Sequence, residues 1–155
     1  MNVFAFKEAN ASAESVLLDG GIITRVVTLS ALALLKLTAW VDPNRQYRDR
    51  DASDLDLIFR NYRDAGNDYR QHGEFASWLD EDDFQFHLVG PRLLGRDIRK
   101  LLSDDARIRL AAPLVAEIDP ELPGRLAQQM NRNDPDRARE MLAAFHWKLI
   151  GRTRS

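Results

Sequence analysis

LSALALLKLTAWVDPNRQYRDRDASDLDLIFRNYRDAGN, residues 29–67, is the stretch whose reading decides the fold. It divides into two helices joined by a polar, arginine-rich loop. Ser30 suits an N-cap, and Ala31 to Trp40 follow with strong helix formers and an apolar face. Pro43 and Asn44 stop that segment, because a proline ring disfavours helical backbone in the residue before it. The loop carries Arg45, Arg48 and Arg50. Asp51 is placed to cap the second helix, in which Leu55, Ile58, Phe59 and Tyr62 recur at three- and four-residue intervals. Gly66 closes it ahead of Asn67.

Lys36 is the only charge between Leu29 and Val41. On a helix its surface neighbours are Leu32, Ala33, Ala39 and Trp40. Two readings stand open. The stem can cover apolar surface while the ammonium reaches water, or the cation can point into a cleft. Asp51 and Asp54 carry the same ambiguity. Carboxylates at a helix start satisfy free backbone N–H groups and suit the helix dipole, which alone explains both. A functional role requires them to face Lys36 across the loop.

Upstream, Val16 to Leu18, Asp19-Gly20-Gly21 and Ile22 to Val27 read as a β-hairpin, since Asp-Gly and Gly-Gly suit a turn with positive φ. Val3 to Phe6, aromatic and β-branched, is a further strand candidate. Lys7 to Ser15 is a connection or a short helix. Downstream the chain reads as helical. A helix is expected over Tyr69 to Leu79. The four acidic residues Asp80 to Asp83 read as a solvated turn or as a patch for an arginine-rich partner. Pro91 opens a helix with Leu93, Leu94, Ile98, Leu101 and Leu102 on one face and Arg92, Arg96, Arg99 and Lys100 elsewhere. Gly95 inside it costs about 1 kcal/mol against alanine, which a close helix–helix or ligand approach would explain. Ser103 starts the next helix and Pro113 kinks or ends it. Pro120 to Met130 reads as a short helix, and Pro135 opens the last, which ends near Gly151.

A chain of 155 residues with 45% hydrophobic content can bury its own core. The formal charge of −2 gives no global basic signal for nucleic acid. Eighteen of the 22 basic residues are arginine, the side chain suited to phosphate and carboxylate, although codon usage alone produces such a skew. Without cysteine there is neither disulfide nor thiolate ligation. His72, His87 and His146 show no ligand spacing, so no metal residues are assigned. The N-terminal residues lack a basic segment followed by an apolar run. The most apolar window, Ile22 to Trp40, contains Arg25 and Lys36, which speaks against a membrane span. A cytoplasmic protein is expected.

ALALLKLTAW, RDASDLDLIFRNY with DAGN, and GPRLLGRDIRKLL occur in the order in which the AbiEii-type nucleotidyltransferases of type IV toxin–antitoxin systems carry comparable segments. The chain resembles that family over residues 16–150. The resemblance implies transfer of a nucleotidyl group from a nucleoside triphosphate, with Mg²⁺, to an RNA or protein acceptor. It assigns Lys36, Asp51 and Asp54 to catalysis and Lys36 and Arg50 to nucleotide binding. Arg50 stands where the family usually has lysine. The family's Gly-Gly/Ser motif and metal-binding Asp-x-Asp pair have no counterpart before the lysine helix. Asp54-Leu55-Asp56 has the letters, but positions i and i+2 diverge on a helix. The resemblance therefore implies the C-terminal portion of such a protein, inactive alone.

The fold expected is α+β, mainly α: a remnant antiparallel β element over residues 1–29, a helical domain over 30–151 and a frayed tail over 152–155. Expected partners are a second copy in a homodimer, a missing N-terminal half, or a cognate antitoxin. A non-catalytic helical interaction module and a truncated remnant are the alternatives.

Overall fold

The computed structural model describes residues 3–73, 75–79, 81 and 84–151, with only the backbone of Val3, Phe4 and Gln71. The architecture is α+β and mainly α, with a two-stranded antiparallel sheet near the N-terminus followed by helices. The expected tail 152–155 lies outside the described residues.

Val3–Ala11 forms helix α1, not the strand expected at Val3 to Phe6. Ala5 and Ala9, one helical turn apart, are both buried, and α1 packs against the helix that carries Lys36. A helix presents these two small residues together on one face, whereas a strand here would need a ladder partner. Tertiary packing thus overrides the β preference of valine and phenylalanine.

The hairpin is as expected. Strand β1 (Glu14–Leu18) pairs with β2 (Ile22–Val26), from Glu14 opposite Val26 to Leu18 opposite Ile22. Gly20 and Gly21 turn the chain at φ +89° and +80°, a region that side chains with Cβ avoid. Neither strand buries a face: Leu17 is 69% and Ile23 72% exposed. The hairpin is tied to the body through Arg25, whose guanidinium donates to the carbonyls of Asn10 at 2.7 Å and Ala13 at 3.1 Å.

Helix α2 (Leu29–Val41) is capped by Thr28, whose hydroxyl accepts from Ala31 N; Ser30 lies inside the first turn and bonds to that hydroxyl. Leu34 and Leu37 enter the core, while Leu32, Leu35 and Ala39 stay partly exposed on the side toward α1. Helix α3 (Arg48–Asn61) begins three residues before Asp51, so Asp51 is a first-turn residue and not the cap. Gly66 takes φ +83° several residues beyond the end of α3. The helix expected over Tyr69 to Leu79 is two 3-10 turns, Asp68–His72 and Ala76–Trp78. Phe75 and Trp78 from this segment are buried and stack at 5.7 Å.

Helix α4 (Val89–Leu101) runs through the centre. A Cβ on Gly90 would lie 2.5 Å from the Phe59 carbonyl, and one on Gly95 would collide with the Phe145 carbonyl. Gly95 therefore marks a helix–helix crossing, one of the two causes considered for it. Arg92, which spacing places off the apolar face, is buried, paired with Glu81 at 2.8 Å and lying against Trp78 and Trp147. The rest of the acidic run, Asp80, Asp82 and Asp83, lies outside the described residues.

Ser103 caps α5 (Asp104–Ala111), Pro113 separates it from α6 (Leu114–Ile118), and α7 (Arg125–Met130) occupies only the second half of the helix expected over Pro120 to Met130, because Gly124 before it is left-handed at φ +59°. Pro135 occupies the first turn of α8 (Pro135–Ile150), with Asp134 as cap and Gly151 in left-handed conformation at the end. The core joins Phe59 of α3, Leu93, Leu94 and Ile98 of α4, and Met141, Phe145 and Leu149 of α8. The Phe59 and Phe145 rings lie 5.2 Å apart, a pair worth about 0.5–1.5 kcal/mol beyond its buried area.

Candidate functional site

The site begins with the loop between α2 and α3. Asp42 ends α2, and its carboxylate accepts from Asn44 N at 2.9 Å, an Asx turn that reverses the chain. Arg48 donates twice to the Asp42 carbonyl, at 2.7 and 3.2 Å, beside the bond that this carbonyl accepts from Arg45 N at 3.1 Å. These bonds set the loop so that Arg45 points back toward α3.

Asp51 is the centre of the cluster. It is 1% exposed. Arg45 Nε lies 2.7 Å from Asp51 Oδ2, Arg45 Nη2 3.3 Å from Oδ1, and Lys36 Nζ 3.2 Å from Oδ1. Lys36 Nζ also lies 2.5 Å from Asp54 Oδ2. Burial by itself would raise the Asp51 carboxyl, but the hydrogen bonds from Arg45 and Lys36 outweigh it and hold the group below the usual carboxylate range. The bond to Asp54 raises Lys36 above its ordinary value against a smaller opposing effect of burial. Both cations are therefore charged at neutral pH.

Of the residues named from the sequence, Lys36, Asp51 and Asp54 come together. The capping role for Asp51 is displaced by its tertiary pairing with α2. Arg50 does not join them directly: its guanidinium lies 4.8 Å over the Tyr47 ring, on the wall of an open concavity of about 460 Å³ shared with Lys36, Arg45 and Asp54. Asp54 and Asp56 diverge as expected of positions i and i+2, Asp56 turning into the body to pair with Arg60 at 2.7 Å. The resemblance points to Arg50, and nothing in the sequence singles out Arg45. It lies six residues before Asp51, on the far side of a turn that only tertiary structure closes. Asp97 of the Leu-Leu-Gly-Arg-Asp segment fastens the fold: it accepts from Tyr62 at 2.7 Å and from Arg70 at 2.6 and 3.0 Å.

A divalent ion does not fit this cluster. Asp51 and Asp54 already face Lys36 and Arg45, two positive charges that a metal ion would have to displace. Among the described residues no group of three or more histidine, aspartate or glutamate side chains converges as a metal site would require. Among the described residues, too, no helix is long and apolar enough to cross a membrane. No family model, curated protein or solved structure matches the chain.

What the cluster offers chemically is a pair of cations oriented by a buried carboxylate. Asp54 is about half exposed. An incoming anion can take its place at Lys36 while Asp51 continues to hold both cations.

Proposed function

We propose that this chain carries the phosphate-facing part of a nucleotidyltransferase-like site. Lys36 and Arg45 face the phosphates of a nucleoside triphosphate, Asp51 holds the two cations in position, and Asp54 is the carboxylate that phosphate displaces. The observation that carries this reading is the convergence of a helix lysine and a loop arginine on one buried carboxylate at the edge of an open concavity. Lysine and arginine oriented in this way stabilise charge on phosphoryl oxygens. The resemblance of the two helices to the AbiEii-type family supports the same reading. On this reading the chain does not catalyse alone, because its described residues form no acidic pair of the kind such transfer requires.

Calorimetric titration with inorganic tripolyphosphate tests the reading. The wild-type chain binds it, Lys36→Ala weakens binding about tenfold or more, and Asp54→Asn strengthens it by removing the competing charge. Equal affinity in all three proteins would reject the site.

A second reading rests on the hairpin. Its two strands expose apolar side chains on both faces, and among the described residues neither outer edge has a strand partner. Open edges invite strand addition, and a lone hairpin in water is marginal. In this reading a second copy of the chain joins edge to edge across a two-fold axis.

A further inference from the structure

Lys148 of α8 stands among charges that the phosphate-facing cluster does not use. Gly95 brings α4 so close to α8 that a Cβ there would lie 3.2 Å from the Lys148 Cβ. Arg92 and Arg96, one turn apart on α4, reach the same crossing. Two indoles wall it. The Lys148 ammonium lies 4.6 Å from the Trp78 ring and 4.2 Å from the Trp147 ring. The Arg92 guanidinium lies 5.6 and 5.5 Å from the same two rings, and that of Arg96 5.6 Å from Trp78. Three cations thus share one aromatic surface. Cation–π attraction holds each to the rings, but the cations repel one another. Glu81 pairs with Arg92. Among the described residues the Lys148 ammonium has neither a carboxylate at ion-pair distance nor a hydrogen-bond acceptor. Arg92 is also short of a partner: its Nε is enclosed and donates to nothing among the described residues.

A lysine desolvated by aromatic walls and set beside other cations is a nucleophile. We propose that Lys148 is a carbamylation site, at which carbon dioxide adds to the amine and the product anion lies beside Arg92 and Arg96. The lone pair of the neutral amine forms a bond to the carbon of carbon dioxide. One C–O π bond opens onto oxygen, and the nitrogen gives a proton to water. No oxidant or reductant enters. The side chain passes from +1 to −1, so repulsion from the two guanidinium groups becomes attraction. The carbamate is also the type of acceptor that the Arg92 Nε lacks. Carbon dioxide is linear and apolar, which suits indole walls, and Lys148 is only partly covered. Burial and the charge of Arg92, joined by that of Arg96, hold the Lys148 amine below the ordinary lysine value, with Glu81 opposing them. His87, from the turn before α4, faces Glu140 two turns away along α8. Lys36 serves as the contrast, because Asp51 and Asp54 keep its ammonium charged.

The experiment equilibrates the full chain with isotope-labelled carbon dioxide and bicarbonate, fixes any carbamate as its ester with a trialkyloxonium salt, and reads each lysine by peptide mass spectrometry. Label on Lys148 is expected several-fold above that on the exposed Lys7 and Lys100, rising with pH as the neutral amine does. Unfolding the chain in urea before labelling is expected to erase the difference, because the rings and guanidinium groups no longer surround the amine. Arg96→Gln removes one neighbouring charge from a partly exposed position and is expected to lower the Lys148 label several-fold, with circular dichroism as the check on folding. In thermal melts at constant ionic strength, carbon dioxide is expected to raise the midpoint of the wild-type chain and to leave that of Lys148→Arg, which keeps the charge, unmoved. Equal label on Lys148, Lys7 and Lys100 in the folded chain overturns the site. So does undiminished Lys148 label in a folded Arg96→Gln chain. Should Arg96→Gln fail to fold, the wild-type comparison decides: Lys148 label that persists undiminished in urea overturns the site equally.

Discussion

At the scale of single residues, the two carboxylates beside Lys36 are unequal. Asp51 is buried under two cations and Asp54 is about half exposed under one. Asp51→Ala leaves Arg45 and Lys36 without their anchor and is expected to cost roughly 2 kcal/mol, below the 3–5 of a fully buried pair because both cations keep access to solvent. Asp54→Ala should cost less than about 1 kcal/mol. Urea unfolding of both variants measures the difference, and equal costs would remove Asp51 as the anchor. Acid titration separates three aspartates. Arg45 and Lys36 hold Asp51 low against its burial, and Arg70 and Tyr62 do the same for Asp97. A depressed carboxyl stabilises the fold above its unfolded value of about 3.9, and that contribution is lost as pH falls through the lower folded value. Asp56 has the opposite sign. Burial raises it, the Arg60 charge only partly offsets this, and its Oδ1 accepts no hydrogen bond among the described residues. Ionising Asp56 therefore costs stability as pH rises through the carboxylate range. Asp56→Asn is expected to match the wild-type chain near pH 3 and to gain on it toward pH 7, so denaturant midpoints whose difference stays constant with pH would contradict this assignment.

Among the elements, α4 depends on glycine where it crosses its neighbours. An alanine at position 95 would gain about 1 kcal/mol of helix propensity, but its methyl would meet the Phe145 backbone carbonyl, which has no rotamer to move aside. Gly95→Ala is expected to lose about 2 kcal/mol net, as overpacking against backbone does, while Gly73→Ala, with open space around its Cβ position, should change stability little. Parallel thermal melts decide it; equal midpoints would mean that α4 and α8 can separate without cost. The hairpin was legible because Asp19-Gly20-Gly21 is a local instruction, and local geometry alone suffices for a turn. Helix α1 was not legible because Val3, Phe4 and Phe6 have strand preferences that yield only once α2 is present to receive Ala5 and Ala9. The segment after Gly66 failed for a related reason: Tyr69 to Leu79 has helical spacing, but Phe75 and Trp78 are held by stacking and Arg70 by Asp97 in turns too short for an α-helix.

For the whole molecule, the helical body closes its own core while the hairpin stays uncovered. Leu17 and Ile23 stand directly opposite each other and are among the most exposed aliphatic residues described. If strand edges join two copies, light scattering at micromolar concentration gives a dimer mass, and Leu17→Lys with Ile23→Lys shifts it to monomer while the helical signal persists. A monomeric wild-type chain would exclude that assembly. With Mg²⁺ and any nucleoside triphosphate the isolated chain is expected to label neither RNA nor protein, since its carboxylates are committed to Lys36 and Arg45. Incorporation above a control without the chain would place the metal site among these residues after all.

The sequence by itself determined whatever depends on neighbours along the chain: the two helices around the Arg-rich loop, the glycine turn of the hairpin, the proline and serine boundaries of the later helices, and the isolation of Lys36 among apolar residues. Spacing fixed that Asp51 and Asp54 lie one turn apart and that Asp54 and Asp56 diverge. Only the tertiary structure decided which of those charges meet. On local grounds Asp51 reads as a helix cap; its burial beneath α2 made it a partner of Lys36 and Arg45. The resemblance singles out Arg50, but the closed turn after Asp42 sends Arg45 to Asp51 and leaves Arg50 on Tyr47. The meeting of Lys148 with Trp78 and Arg92 could not be read at all, because it exists only where α8 crosses α4. Local propensities act over a few residues, whereas charge pairing and cavities arise between segments that the chain brings together only when it folds.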